Sequence, residues 1–168
     1  EKKDQAIENL NKVLEIAPNY SSAYYNRALI YSDKQSYTKA LDDYNKVIFL
    51  SPKNILAYYN RALTLEKLNQ IKSAEIDVEK IIEIYPDFVD AYKLRSALKQ
   101  KQGDYIGANQ DKQTAEIINR SKLNISDSLK RYEELNIIKL TTFNSSGDNK
   151  NVDQLSSQEI ALANPYFI

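Results

Sequence analysis

A 34-residue period runs from residue 1 to about residue 119 of this chain with no insertion or deletion. Ala6, Ala40, Ala74 and Ala108 lie on it. So do Pro18, Pro52 and Pro86, Tyr24, Tyr58 and Tyr92, and Ala23, Ala57 and Ala91. The heptapeptide AYYNRAL occurs twice, at 23–29 and 57–63. A period of this length marks a supersecondary unit that cannot bury its apolar face alone and must stack on its own copies.

Within each unit the apolar residues recur at helical spacing. Tyr24, Ala28 and Tyr31 fall at i, i+4 and i+7, as do Ala40, Tyr44 and Val47, so each unit holds two helices with one packing stripe apiece. Ala28 and Ala40 remove bulk where the two helices approach. Each Pro ends a second helix and biases the residue before it away from the helical region. The expected fold is all-α, with antiparallel helix pairs near Ser22–Lys34 and Thr38–Leu50, Leu56–Leu68 and Lys72–Ile84, and Asp90–Gln102 and Tyr105–Ile118.

These residues make the chain similar to the tetratricopeptide repeat (TPR) family, in its bacterial-type multi-repeat form. The family unit carries an aromatic at position 4, small residues at 8 and 20, aromatics near 11, 17 and 24, and Pro at 32. The repeat 21–54 supplies Tyr24, Ala28, Tyr31, Tyr37, Ala40, Tyr44 and Pro52 at those positions. The repeat 55–88 supplies Tyr58, Ala62, Leu65, Ile71, Ala74, Val78 and Pro86. From Val89 the pattern weakens to Tyr92, Ser96, Lys99, Tyr105, Ala108 and Lys112.

The resemblance implies an α-α superhelix, or solenoid. Its expected divisions are the second helix of a truncated unit (1–20), two full units (21–54 and 55–88) and a degenerate terminal unit (89–122). The polar substitutions of that last unit read as a wetter outer face at the end of the array. Ser126 or Ser128 could then cap a separate helix over 123–140, carrying Leu129, Tyr132, Leu135 and Ile138. Residues 141–168 read as an irregular tail ending in the apolar run EIALANPYFI.

Composition narrows the function. The chain has no Cys, no His and only three Gly. That removes thiol chemistry, imidazole acid–base catalysis, the usual zinc ligand sets and Gly-rich phosphate loops. No enzyme activity, catalytic residue, metal or cofactor is expected. Its 23 basic and 23 acidic residues balance, leaving no net field to recruit nucleic acid or an anionic membrane. No segment approaches the roughly 18 apolar residues that span a bilayer. A soluble chain, cytoplasmic or periplasmic, is expected, any signal peptide lying upstream of Glu1.

What remains is a surface. With Tyr24 or Tyr58 at the centre of the packing face, positions 5, 6 and 9 point away from it, toward the side that lines the concave groove in TPR arrays. They are Tyr25, Asn26 and Leu29, then Tyr59, Asn60 and Leu63, with Lys93 at position 5 of the last unit. Unpaired Asn amides can hold the backbone of an extended peptide, while Tyr and Leu offer amphipathic and apolar area. The expected function is a protein- or peptide-binding scaffold within a larger protein. The alternative is a spacer or self-association element, a homodimer being one form of it, acting through the open N-terminal edge or the apolar tail.

One TPR subgroup clamps C-terminal carboxylates, and its middle unit carries an Asn-Arg-Ala run like Asn26–Ala28 and Asn60–Ala62. Its flanking units need Lys and Asn before, Lys and Arg after. Around Asn26 the following unit has Leu56 and Asn60. Around Asn60 the flanking residues are Tyr25, Leu29, Asp90 and Leu94. Neither frame supplies the clamp.

Arg27, Arg61 and Arg95 each precede an Asp by 16 residues: Asp43, Asp77 and Asp111. An ion pair joining the two helices of each unit is expected, a scaffold contact worth about 0.2–1 kcal/mol if exposed.

Overall fold

The computed structural model describes the backbone over residues 1–146 and the side-chain surroundings over residues 1–131. Seven helices follow one another: α1 (Lys2–Ile16), α2 (Ser21–Asp33), α3 (Tyr37–Leu50), α4 (Ile55–Lys67), α5 (Ile71–Ile84), α6 (Val89–Gln102) and α7 (Tyr105–Ser146). Among the described residues there is no strand. Residues 1–122 form one compact unit, and the described part of α7 from residue 123 onward belongs to a second. In the first, α2 packs on α3 and α4 on α5 as hairpins, and α3–α4 and α5–α6 contacts join one hairpin to the next.

Two kinds of turn make this alternation. The inner turn of each hairpin passes through one left-handed residue, at Gln35 (φ 58°), Asn69 (φ 59°) and Gly103 (φ 83°), again 34 apart. There the amides of Ser36, Gln70 and Asp104 donate back to the carbonyls of Tyr31, Leu65 and Lys99, closing the end of each first helix. The outer turn is made by Pro. Ala17, Ser51 and Tyr85, each just before a Pro, are extended at ψ 78°, 76° and 86°, so the helix stops there. Asn54 then starts α4 by accepting a hydrogen bond from the Ala57 amide.

Alanine lets the helices touch. Ala28, Ala40, Ala62 and Ala74 have no exposed surface. Around them sit Tyr44 in one cluster and Tyr58, Leu65, Val78, Ile81, Leu94 and Leu98 in a larger one. Ala23, Ala57 and Ala91 are also buried.

The three Arg–Asp pairs form, and they are not surface pairs. Arg27 donates to both oxygens of Asp43 at 2.8 and 2.7 Å, Arg61 to Asp77 at 2.7 and 2.5 Å, and Arg95 to Asp111 at 2.9 and 2.6 Å. The Asp side chains are only 6, 3 and 5% exposed. The small value expected for an exposed pair therefore does not apply to them: desolvation offsets much of their attraction, and what is costly is removing one partner alone. Each guanidinium also lies 5.5–5.6 Å from the ring centre of Tyr24, Tyr58 or Tyr92.

Two of the arginines reach backwards as well. Arg27 donates to Asn11 Oδ1 at 2.6 Å and Arg61 to Asn45 Oδ1 at 2.7 Å, each 16 residues earlier on the preceding second helix. At the third joint Glu79 stands in that place. It acts on Arg95 through its charge, with no hydrogen bond between them among the described residues.

The last unit departs from expectation. Ser96 is buried rather than wet, its hydroxyl donating to the Ala108 carbonyl at 2.7 Å. Lys99 turns inward to Asp111 at 2.9 Å, and Lys112 alone of the three is exposed. No separate capping helix begins at Ser126 or Ser128. α7 runs unbroken to Ser146 because no Gly or Pro interrupts residues 108–146, and Ser128 bonds inside the helix to the Asn124 carbonyl. Residues 141–146 of the expected tail are therefore helical. The side chains of Tyr132, Leu135 and Ile138, and all of residues 147–168, lie outside the described residues.

Three outcomes test this account by denaturant unfolding. Arg61→Ala, which strands a carboxylate with 3% exposure, should destabilise by about 3–5 kcal/mol. Asp77→Ala should cost less, because Arg61 at 22% exposure can turn to water and keeps Asn45. Gln35→Gly, which relieves a left-handed Gln, should stabilise by about 0.5–1 kcal/mol.

A fourth concerns acid. Burial pushes the Asp111 carboxyl up, but hydrogen bonds from Arg95 and Lys99 outweigh it and hold the pKa below the usual range. The unfolded chain therefore takes up the proton first. The contribution is complete above the unfolded carboxylate value of about 3.9 and falls away as pH drops through the folded one. Asp111→Asn should flatten this acid limb in melts run from neutral pH downward.

Candidate interaction surface

Among positions 5, 6 and 9 of the first helices, Tyr25, Tyr59 and Leu63 are packed against the residues beneath them. Tyr25 sits edge-on to Tyr44 at 6.2 Å between ring centres, and Tyr59 edge-on to Phe88 at 5.8 Å. Tyr59 and Leu63 also pack against the larger core cluster. Tyr25 and Tyr59 are half-buried, so packing leaves part of each ring exposed. Burial pushes the Tyr25 hydroxyl up, opposed by its Asn60 bond. Burial also raises Tyr59, with Asp90 adding to the rise and Lys93 working against it.

The Asn pair divides. Asn60 was expected to keep its amide free. Instead its Nδ2 donates to the Tyr25 hydroxyl at 2.8 Å and to the Leu56 carbonyl at 2.9 Å. The angular reading of one helix could not see this, because the Tyr25 hydroxyl arrives from the neighbouring helix. The bond belongs to a larger set: Thr64 donates to the Asn60 carbonyl, and Ser32 bridges the hydroxyls of Thr64 and Tyr44. Asn26 is exposed and makes no hydrogen bond among the described residues. One turn on, Leu29 is 38% exposed, and Leu56 at the start of α4 is 49% exposed.

The face changes chemistry along the array. Leu94 replaces Asn60 one unit on and is buried at 7%, so the Tyr–Asn tie is not repeated there. Lys93 replaces the tyrosines and pairs with Asp90 at 3.1 Å, and Lys101 pairs with Glu66 at 2.6 Å. The surface is thus apolar and amide-bearing on α2 and α4, and charged on α6.

A second set of hollows lies along the arginines. A cavity of about 550 Å³ is bounded by Leu14, Glu15, Tyr24, Tyr31, Lys39 and Asp42, with Arg27 and Asp43 among its walls. A smaller one of about 310 Å³ repeats it at Leu41, Leu65, Gln70, Ser73 and Ile76 around Arg61 and Asp77. The sequence held a signal for both: Asn11 and Asn45 lie 34 apart and each precedes an arginine by 16. Their guanidinium groups are already engaged by carboxylate and amide, so the hollows offer shape and polar rims rather than a free cation. Among the described residues no buried polar side-chain atom lacks a partner, and no cluster of acidic residues could hold a metal. No helix among them is long and apolar enough to cross a membrane.

Comparison with known proteins fits this architecture. Sequence profiles described as tetratricopeptide repeat match residues 21–54, and residues 1–20 with 55–88, together just over half of the chain. No curated protein matches the chain in sequence. Among solved structures it is similar to a crystal structure of MamA, with a TM-score of 0.70 at 24% identity, covering 73% of this chain and 71% of that one. It is also similar to MamA from residue 41 to its end from Desulfovibrio magneticus RS-1, with a TM-score of 0.68 at 20% identity, covering 71% and 68%. At these identities the likeness speaks for fold. With its 34-residue units recognised and stacked in this way, the chain belongs to the tetratricopeptide repeat family, an all-α superhelix of the class that serves as a protein-interaction scaffold.

Proposed function

We propose that the chain acts without catalysis of its own, presenting Tyr25, Asn26, Leu29, Tyr59, Asn60, Leu63 and Lys93 as one groove to an extended peptide of a protein partner. The observation that carries this reading is the free Asn26 amide one helical turn from exposed Leu29, together with Tyr25 and Tyr59 held by Tyr44 and Phe88. A rigid amphipathic floor with an unpaired amide grips a peptide backbone at small entropic cost. The charged pairs at Lys93 and Lys101 would favour a peptide apolar at one end and polar at the other. Asn60 serves the groove through its remaining oxygen while its NH₂ group holds α4 to α2.

A second reading, a spacer or self-association element, draws on α1, where Val13 is 38% and Ile16 87% exposed. The apolar tail that would serve it lies outside the described residues.

The test is titration with extended peptides selected from a random library on the wild-type chain. Asn26→Ala with Leu29→Asp should weaken binding at least about tenfold while leaving the melting temperature unchanged, both residues being exposed. Asn60→Ala should lower stability by about 0.5–1.5 kcal/mol through the lost Tyr25 bond, besides any effect on binding. Selected peptides that bind the Asn26/Leu29 variant as tightly as wild type would sink the groove reading.

A further inference from the structure

A run of hydroxyl and amide groups links α2, α3 and α4, and the chemistry of each group fixes where its protons point. The Leu56 carbonyl only accepts, so the Asn60 atom 2.9 Å from it is the NH₂ nitrogen. The same nitrogen lies 2.8 Å from the Tyr25 hydroxyl. Both amide hydrogens are thereby spent, and the Tyr25 oxygen is an acceptor. Behind them, Thr64 gives its single hydroxyl proton to the Asn60 carbonyl at 2.7 Å. Ser32, 3.3 Å from Thr64, must then donate to it, and Tyr44, 3.5 Å from Ser32, must donate to Ser32. These three protons all run toward the Asn60 carbonyl.

Two groups are left over. Among the described residues the Tyr25 hydroxyl proton has no acceptor and Asn60 Oδ1 has no donor. Both belong to half-buried side chains joined by one hydrogen bond, so a free donor and a free acceptor stand side by side. Burial raises the Tyr25 pKa, against the pull of the Asn60 bond, and the hydroxyl keeps its proton at neutral pH. One unit on, Leu94 replaces Asn60 and is buried at 7%, so Tyr59 has no such neighbour.

We propose that Tyr25 and Asn60 together hold the backbone of one residue of an extended partner peptide, Tyr25 donating to its carbonyl and Asn60 Oδ1 accepting from its N–H. The inference rests on the groove reading and names the kind of segment the groove takes. A residue in extended conformation turns its N–H and C=O to the same side, which is how antiparallel strands exchange two hydrogen bonds at one residue. A helical partner has spent those groups on its own turns. A carboxylate would accept from Tyr25 but face the lone pairs of Asn60 Oδ1, so a bare anion is disfavoured. Asn60 cannot grip both sides of the peptide backbone alone, because its NH₂ is committed to Leu56 and Tyr25. This clip reads no side chain. It sets the register of the segment, and Leu56 and Leu63, one turn either side of Asn60 on α4, are left to sort the neighbouring side chains.

The probe is the tightest peptide from the library selection, synthesised with a single backbone ester at each position in turn and titrated into the wild-type chain. An ester removes one N–H and weakens one carbonyl as an acceptor. The expected pattern is two sensitive bonds, the two that flank a single residue, each costing about tenfold in affinity. Tyr25→Phe, which keeps the ring on Tyr44, should remove the cost at the bond after that residue. Asn60→Ala should remove the cost at the bond before it, both variants being checked for fold by circular dichroism. Esters without effect, in peptides still weakened by Asn26→Ala with Leu29→Asp, would overturn the clip and leave the groove standing. So would ester costs that neither variant alters. Peptides that lose affinity only when an Asn or Gln side chain is replaced would put a side-chain amide on the pair and overturn the backbone clip. A selection in which no peptide responds to the Asn26/Leu29 variant removes the groove, and the clip with it.

Discussion

A carboxylate buried at a few per cent exposure must be answered by a cation with a matching shape, and the array is organised around that demand. Asp43, Asp77 and Asp111 sit inside the hairpins, and only a planar fork with several donors can engage both oxygens and still reach further. Arginine does so. Its guanidinium lies over a tyrosine ring and grips the Asp of its own unit, and in two of three cases a spare donor takes the Asn of the unit before. A lysine could supply the charge but not the two directions. The helix hairpin and the joint between hairpins are thus set by the same side chain, which explains why arginine recurs every 34 residues even where the apolar residues around it drift.

Much of this was legible in the chain because repetition makes local signals agree. The six expected helices of the repeats begin within a residue of their observed starts, since Pro and the turn residues act at short range. The end of α7 was missed for the opposite reason. Ser126 and Ser128 are cap-forming residues, but a serine caps only where the backbone has already left the helix, and nothing between residues 108 and 146 makes it leave. Inside a helix the same hydroxyl turns back to the carbonyl four residues earlier, as Ser121 and Ser128 do.

The candidate surface was legible by direction and not by contact. Angles around one helix separated Tyr25, Asn26 and Leu29 from the packing stripe, and these residues do lie off it. An angle carries no information on what a neighbouring helix brings. Asn26 and Asn60 are therefore identical in sequence context and different in fact, one bonded across to α2 and one not. The same limit hid the Asn11 and Asn45 ties, which depend on two second helices being held at a fixed separation. It also hid the burial of Ser96, whose hydroxyl is satisfied by a carbonyl from the facing helix.

The unequal joints along the arginine line have a consequence for how the array breathes. In a linear stack each unit is held by its own stability and by coupling to its neighbours, and the weakest coupling decides where opening starts. The first two joints carry an arginine–asparagine bond, while the third has Glu79 facing Arg95 through charge alone. Charge survives small displacements that break a hydrogen bond, so that joint can slide before it parts, but salt screens it. Amide protons of α6 should exchange earlier than those of α4, and more so at high ionic strength. The line of arginines is then a graded clasp, hydrogen-bonded at its first two joints and sensitive to salt at its third.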